Sequence, residues 1–297
     1  MDKLLMPHAE LPLVNLCFLS SALSKGTTFS RPSSGQRVNG LGLLETVVSN
    51  KPRFAFDPVG LSVLGVMVEP QRTNYHPRSW KISQWASNNG VATDGVYISP
   101  DGTQDASQIV TAAALQGRYR SVSGLTPSTY YAVSGFVKVF AGATTIKVGT
   151  ETTEDLSSNG SITVNAETGA VVAQGSKVYN VYTVLLPNGW VYFRYKVKTG
   201  AAQTSVNFLA YSVVGASTFS IWGAQIEAGA QATSYIPTDG SVVTRAADQL
   251  SFTIPNGVST LRCAFDDNST QDVAVSAGAY TIPTILNRTI IKRLYSV

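Results

Sequence analysis

Apolar and polar residues alternate along much of this chain. In WVYFRYKVK, Val191, Phe193, Tyr195 and Val197 form one apolar set. Trp190, Tyr192, Arg194, Lys196 and Lys198 form the amphipathic or charged alternate set. A strand sends successive side chains to opposite faces, so the first set is expected in a core and the second on the outward face. TYYAVSGFVKVF (Thr129 to Phe140), TIKVGT, SITVN, YNVYTVLL and TFSIWGAQIE are also rich in Val, Ile, Tyr, Phe and Thr, the residues that fit a pleated surface. Apolar residues at helical spacing do not persist beyond one or two turns. NNG at 88–90, PDG at 100–102, SSNG at 157–160 and PNG at 187–189 punctuate the strands as turns. Short strands between such turns predict an all-β chain built on an antiparallel sandwich. Two long connections with few turn signals favour jelly-roll or Greek-key crossing over a simple meander.

Three regions follow from the pattern. Residues 1–70 read as an irregular N-terminal arm, broken by Pro, Gly and Ser, with apolar patches such as GLGLLETVV and GLSVLGVMVE. Patches in so short a stretch must pack on the sandwich or on another subunit. Residues 71–248 read as the jelly-roll sandwich. Residues 249–297 carry SFTI, TLRCAF, DVAV, YTI and TIIKRLY, a small C-terminal β-module suited to clamping an oligomer. FDDNSTQDV reads as its hairpin, with the polar tip at Asp266 to Thr270. LPLVNLCFLSSALS (Leu11 to Ser24) resembles the apolar part of a signal peptide. Acids at Asp2 and Glu10, with Pro12 and Asn15 inside the run, favour an apolar arm or edge strand instead.

Composition narrows the classes. Of 297 residues, 44 % are hydrophobic and only 13 % charged, so disorder driven by charge is not expected. A net charge of +4, with no basic run longer than Lys292–Arg293, gives no reason to expect nucleic acid as a partner. No apolar stretch reaches 18 residues, so no helical membrane insertion is expected. Cys17 and Cys263 are too few and too far apart for a disulfide framework and are expected to pack as small hydrophobes.

FSR at Phe29–Arg31, KPRFAFDP at Lys51–Pro58 and GVMVEPQRTN at Gly65–Asn74 occur in that order. They resemble the N-terminal signature of bacteriophage tail-fibre, head-spike and related virion structural proteins. WGAQIEAGAQATSYIPTDGSVVTRAAD is similar to the closing signature of that family's jelly-roll domain, which is itself similar to carbohydrate-binding modules. The stretch from Phe265 to Tyr295 resembles a C-terminal β-extension of some members. The resemblance implies a non-enzymatic virion protein, assembled in the bacterial cytoplasm and held to other virion proteins of capsid or tail through its N-terminal region. It also implies a homotrimer that projects its sandwich towards a host-surface glycan or protein. A capsid decoration protein bound to neighbouring subunits is the alternative, and a glycan-degrading tail enzyme a further one.

The residues suggest their own roles. Gly223, Ala224, Ala228, Gly229 and Ala230 are small enough for close backbone packing or a bulge. Trp222 offers a large apolar surface to a core or subunit seam. Arg72 with Glu227, and Arg245 with Asp248, are expected as structural ion pairs, since arginine favours planar two-pronged contacts. Trp190, Tyr192, Arg194, Lys196 and Tyr130 are the candidates for glycan or interface contact, because sugar C–H faces stack on aromatic rings and interfaces favour Tyr, Trp and Arg.

Catalytic signals are weak. His8 and His76 are the only histidines, too few for a Ser-His-Asp site with spare partners or for a metal cluster. Asp101 with Asp105, and Glu151 with Glu154 and Asp155, offer carboxylate pairs by count, but in polar turns where acids are usually solvated. Asp101 and Asp105 are also candidate calcium ligands, without the spacing of a calcium loop. No metal and no cofactor is therefore expected.

Overall fold

A computed structural model describes residues 13–151 and 160–297. His8, the acids Asp2, Glu10, Glu154 and Asp155, and most of the SSNG turn lie outside the described residues. Among the described residues the one helical element is a 3-10 turn, Ile82–Gln84; every other regular element is a strand.

Two six-stranded antiparallel sheets form the sandwich. The front sheet runs, in spatial order, Val178–Leu185, Val191–Lys198, Tyr130–Gly142, Ser217–Ala228, Ala106–Thr111 and Val91–Tyr97. The back sheet runs Val171–Gln174, Ser161–Asn165, Thr145–Glu151, Ser205–Ser212, Gly117–Ser123 and Ala86–Asn88. The chain crosses repeatedly between the sheets, as a jelly roll requires. Tyr130–Gly142 in front is followed by Thr145–Glu151 behind, and Ser205–Ser212 behind by Ser217–Ala228 in front. The alternation is the cause. Val191, Phe193, Tyr195 and Val197 are buried between the sheets with Val133, Val148, Phe208 and Ile221. Tyr195 carries its hydroxyl into this core, donating to the Gly160 carbonyl at 2.9 Å and accepting from the Thr150 amide at 3.0 Å. A phenol buried among apolar side chains needs such partners.

Among the described residues, the chain breaks its strands at NNG, PDG and PNG as expected. Asn89 has φ 56°, and Gly189, which ends PNG, has φ 78°. Ser217–Ala228 holds one extra residue against Tyr130–Gly142, between Ser134↔Gln225 and Phe136↔Trp222. Gly223 takes up the irregularity at φ 68°, and a Cβ there would stand 3.0 Å from the Phe136 ring. The expected bulge at the small residues is therefore present.

Outside the sandwich, the predicted boundaries need correction. The stretch 1–70, expected to be irregular, contains six short strands among its described residues. Val63–Met67 pairs with Phe54–Phe56 on one side and with Ile290–Ser296 on the other. Asn15–Cys17 also pairs with Ile290–Ser296, fulfilling the edge-strand expectation. Thr28–Ser30 pairs with Gln249–Ile254. The arm and the C-terminal module thus form one β unit rather than two regions. The physical reason is burial. Phe54, Val66 and Val68 from the first stretch share a core with Leu250, Leu261, Phe265, Ile291 and Leu294 from the last. Neither half has enough apolar surface to bury alone. The FDDNSTQDV hairpin is as expected, with Thr260–Phe265 paired to Thr270–Ala274. Both thiols are free; Cys263 is buried in this core, but Cys17 is exposed, against expectation.

Candidate functional site

The motif residues from the two ends of the chain meet in a buried ionic cluster. Arg31, Arg53, Glu69, Arg245 and Asp248 are all at most 2 % exposed. Arg53 Nη2 reaches Glu69 at 2.8 Å and Asp248 at 2.5 Å. Arg31 Nη1 reaches Asp248 at 3.0 Å, and Arg245 Nη2 reaches Glu69 at 3.3 Å. Asp248 also accepts the Glu69 amide at 2.9 Å, and Glu69 accepts the Ser234 amide at 2.8 Å. Burial alone would raise the Glu69 pKa, but Arg53 and Arg245 hold it down at about 2. Three guanidiniums against two carboxylates tie the β unit to the end of the sandwich. Sequence reasoning found only Arg245 and Asp248, which are 3.9 Å apart. It missed Arg31, Arg53 and Glu69, although each sits in a quoted motif beside apolar residues in a chain poor in charge.

The Arg72–Glu227 pair does not form. Glu227 turns instead to Thr233, accepting its amide at 2.9 Å and its hydroxyl as well. Arg72 donates to the Gln71 carbonyl at 3.0 Å and lies against Gly229, where a Cβ would stand 2.9 Å from its guanidinium. Close local partners won over the distant pairing. Burial, without a cation at hand, pushes the Glu227 carboxyl up to about 7.

Among the described residues, the candidate acids and His76 are taken up by local hydrogen bonds, an ion pair and packing. Asp101 accepts the Ser99 hydroxyl at 2.6 Å and the Thr103 amide at 2.9 Å, closing a turn. Asp105 accepts the Trp222 indole N–H at 3.0 Å. Glu151 pairs with Lys147. His76 is buried against Trp85 and Phe208, with ring centroids 4.8 and 5.3 Å away. Its burial, helped by the charge of Arg120, lowers its pKa to about 3. No group of three or more His, Cys, Asp or Glu able to hold a metal occurs among the described residues.

The outward face of Val191–Lys198 divides in two. Trp190 and Tyr192, predicted as contact residues, point away from the sandwich core as expected, but a third cluster covers that end of the face. Trp190 is 1 % exposed and packs with Phe136, Trp222 and Tyr235, while Tyr192 lies half-buried against them. Trp190 donates its indole N–H to the Ile98 carbonyl at 3.1 Å, so it is a structural residue rather than a contact residue. Burial raises the Tyr192 hydroxyl to about 12. The alternation sorts residues between faces and carries no information about which face another part of the chain will cap.

The other end of the face is open. Tyr130 lies opposite Lys198, Tyr179 opposite Lys196 and Tyr182 opposite Arg194 on the neighbouring strands. All three tyrosines are more than 40 % exposed. Lys196 Nζ stands 4.5 Å from the Tyr130 ring centre and 5.6 Å from that of Tyr179. Lys198 Nζ is 5.4 Å from the Tyr130 ring, and the Arg194 guanidinium is 4.7 Å from that of Tyr182. The structure thus brings Tyr130, Arg194 and Lys196 together. It adds Tyr179 and Tyr182, which sequence reasoning passed over. Their signal was present in YNVYTVLL, whose bulge between 179 and 182 puts both tyrosines on the same face.

No known protein-family pattern matches the chain, and no curated protein does. Among solved structures it is similar to the CBM22-1 xylan-binding domain of Paenibacillus barcinonensis Xyn10C. The two are 12 % identical with a TM-score of 0.34, over 54 % of this chain and 94 % of that domain.

Proposed function

We propose that this chain is a non-enzymatic glycan-binding protein of the bacteriophage fibre or spike type, working through the open end of its front sheet. The observation that carries the reading is the exposed row of Tyr130, Tyr179 and Tyr182 around Lys196 and Arg194. Exposed aromatic rings on a rigid sheet suit sugar C–H faces, and flanking cations suit hydroxyls and charges. Burial of Trp190 reduces the aromatic area but leaves the three tyrosines exposed beside their cations. In this reading the β unit built from both ends of the chain attaches to the particle, and the sandwich projects from it. A homotrimer would multiply weak contacts into useful avidity.

A second reading is a decoration protein bound to neighbouring virion subunits. It is favoured by the edge strand Val171–Gln174, exposed along its length and carrying Val171 and Val172 outward. Affinity electrophoresis in gels cast with bacterial surface polysaccharides tests the first reading. Retardation that is lost in Y130A/Y179A is expected, and no retardation by any polymer would overturn it. Immunogold labelling of purified particles tests the virion role, and particles free of label would refute it.

A further inference from the structure

We propose that the glycan bound at this face is acidic, a polysaccharide carrying sugar carboxylates, with one acidic sugar seated in the cleft between the sandwich and the 287–290 segment. The inference rests on the glycan-binding reading and specifies its ligand.

Three cations, Arg194, Lys196 and Lys198, occupy alternate positions of one strand. At a rise of about 3.4 Å per residue they span about 14 Å along the sheet, a linear track. None forms an ion pair with an acid among the described residues. The acid nearest in cross-strand register is Glu227, beyond Ala132 in the Lys196 row, and it is buried and engaged with Thr233. The rings around the cations do not neutralise them. They hold the ammonium and guanidinium groups in place by cation–π attraction and leave the positive charge unpaired. Lys196 and Lys198 both crowd the Tyr130 ring, so the face presents charge together with aromatic surface rather than bare rings. A wholly neutral sugar would leave that charge unused.

The track ends at a cleft of about 250 Å³ lined by Tyr182, Arg194, Gln231, Asp266, Asn287 and Arg288. Its two arginines differ. Arg288 is occupied by Asp266 and Asp267. Arg194 is stacked on Tyr182, with no carboxylate partner, and its planar fork suits a sugar carboxylate held by two hydrogen bonds. Amide groups of Gln231 and Asn287 stand ready for hydroxyls, although Gln231 also donates weakly to the Asn287 carbonyl at 3.4 Å. The cleft therefore combines one unpaired cation with the neutral amides of Gln231 and Asn287 and with an Asp266 carboxylate already held by Arg288, which matches a uronic acid better than a bare anion.

The test is a polysaccharide array probed with the full chain. Each uronate polymer is printed beside its carboxyl-reduced form, together with neutral glucans, a phosphate-bearing teichoic acid and polyglutamate. Binding to uronate polymers, weakened at least about tenfold by carboxyl reduction, is expected, the weight of one charge-assisted hydrogen bond. R194Q and K196A should each weaken binding while leaving the melting temperature unchanged. Equal binding to the reduced forms would overturn the acidic assignment and leave the glycan reading standing. Preference for teichoic acid would overturn the carboxylate, and equal binding of polyglutamate would reduce the face to a charge patch. Silence across the array would overturn this inference and the glycan reading together.

Discussion

Arg53 and Asp248 stand 2.5 Å apart although they lie 195 positions apart in the chain. The same guanidinium nitrogen also holds Glu69. Removing one member of such a cluster strands the others in a dry interior. D248N and E69Q are each expected to destabilise the protein by about 3–5 kcal/mol. Urea unfolding checks this, and a loss below about 1 kcal/mol would mean the cluster is as weak as a surface pair.

Glu227 makes the stability depend on pH. Its folded pKa of about 7 lies above the ordinary 4.5. Between these values the native state keeps a proton that the unfolded state has released, so stability falls as pH rises through the window. His76 works in the opposite direction. Its folded pKa of about 3 lies below the ordinary 6.5, so its contribution is present above pH 6.5 and lost as pH falls towards 3. The two slopes oppose each other between pH 4.5 and 6.5. E227Q removes one of them. The stability of the variant relative to the natural chain should grow by about 1.4 kcal/mol per pH unit from pH 4.5 to 7. A difference that does not change with pH would contradict the unpaired burial of Glu227.

The two thiols should react unequally. Cys17 is exposed, whereas Cys263 lies in a core and burial pushes its pKa up to about 11. Native protein treated with a thiol-specific alkylating reagent should take up one label quickly, and peptide mapping should place it on Cys17. Fast labelling of both would show that the core around Cys263 opens readily.

The 249–297 segment should not fold by itself. Three of its strands complete a sheet whose other members are Phe54–Phe56, Val63–Met67 and Asn15–Cys17, and the other two pair in a sheet with Thr28–Ser30. An isolated 249–297 peptide is expected to show no dispersed amide spectrum, whereas a 71–248 fragment should keep the sandwich core intact. A folded 249–297 peptide would restore the separate module that the sequence suggested.

G223A should also be costly. A Cβ at Gly223 meets the Phe136 ring at 3.0 Å on a left-handed backbone. About 1–3 kcal/mol of destabilisation is expected, read by thermal melting.

The sandwich was legible because alternation is local. Val191, Phe193, Tyr195 and Val197 announce their face within eight residues. The bulge was legible for the same reason, since small residues cluster around Gly223. What escaped depended on partners far away in sequence. Nothing near Trp190 shows that the outer end of its strand is covered, and nothing near Arg31 points to Asp248. The candidate face was half visible: Tyr130, Arg194 and Lys196 were readable by period, but Tyr179 and Tyr182 required the register of a bulged neighbour.

The sheet shared by both ends makes the sandwich an insertion within a smaller unit. Ile290–Ser296 is the clasp that closes that unit on Val63–Met67. During synthesis from the N-terminus, the earlier strand must wait while the whole sandwich emerges and folds, because pairings so distant in sequence form late. Until the clasp arrives, the waiting edge can accept the same strand from a sister chain.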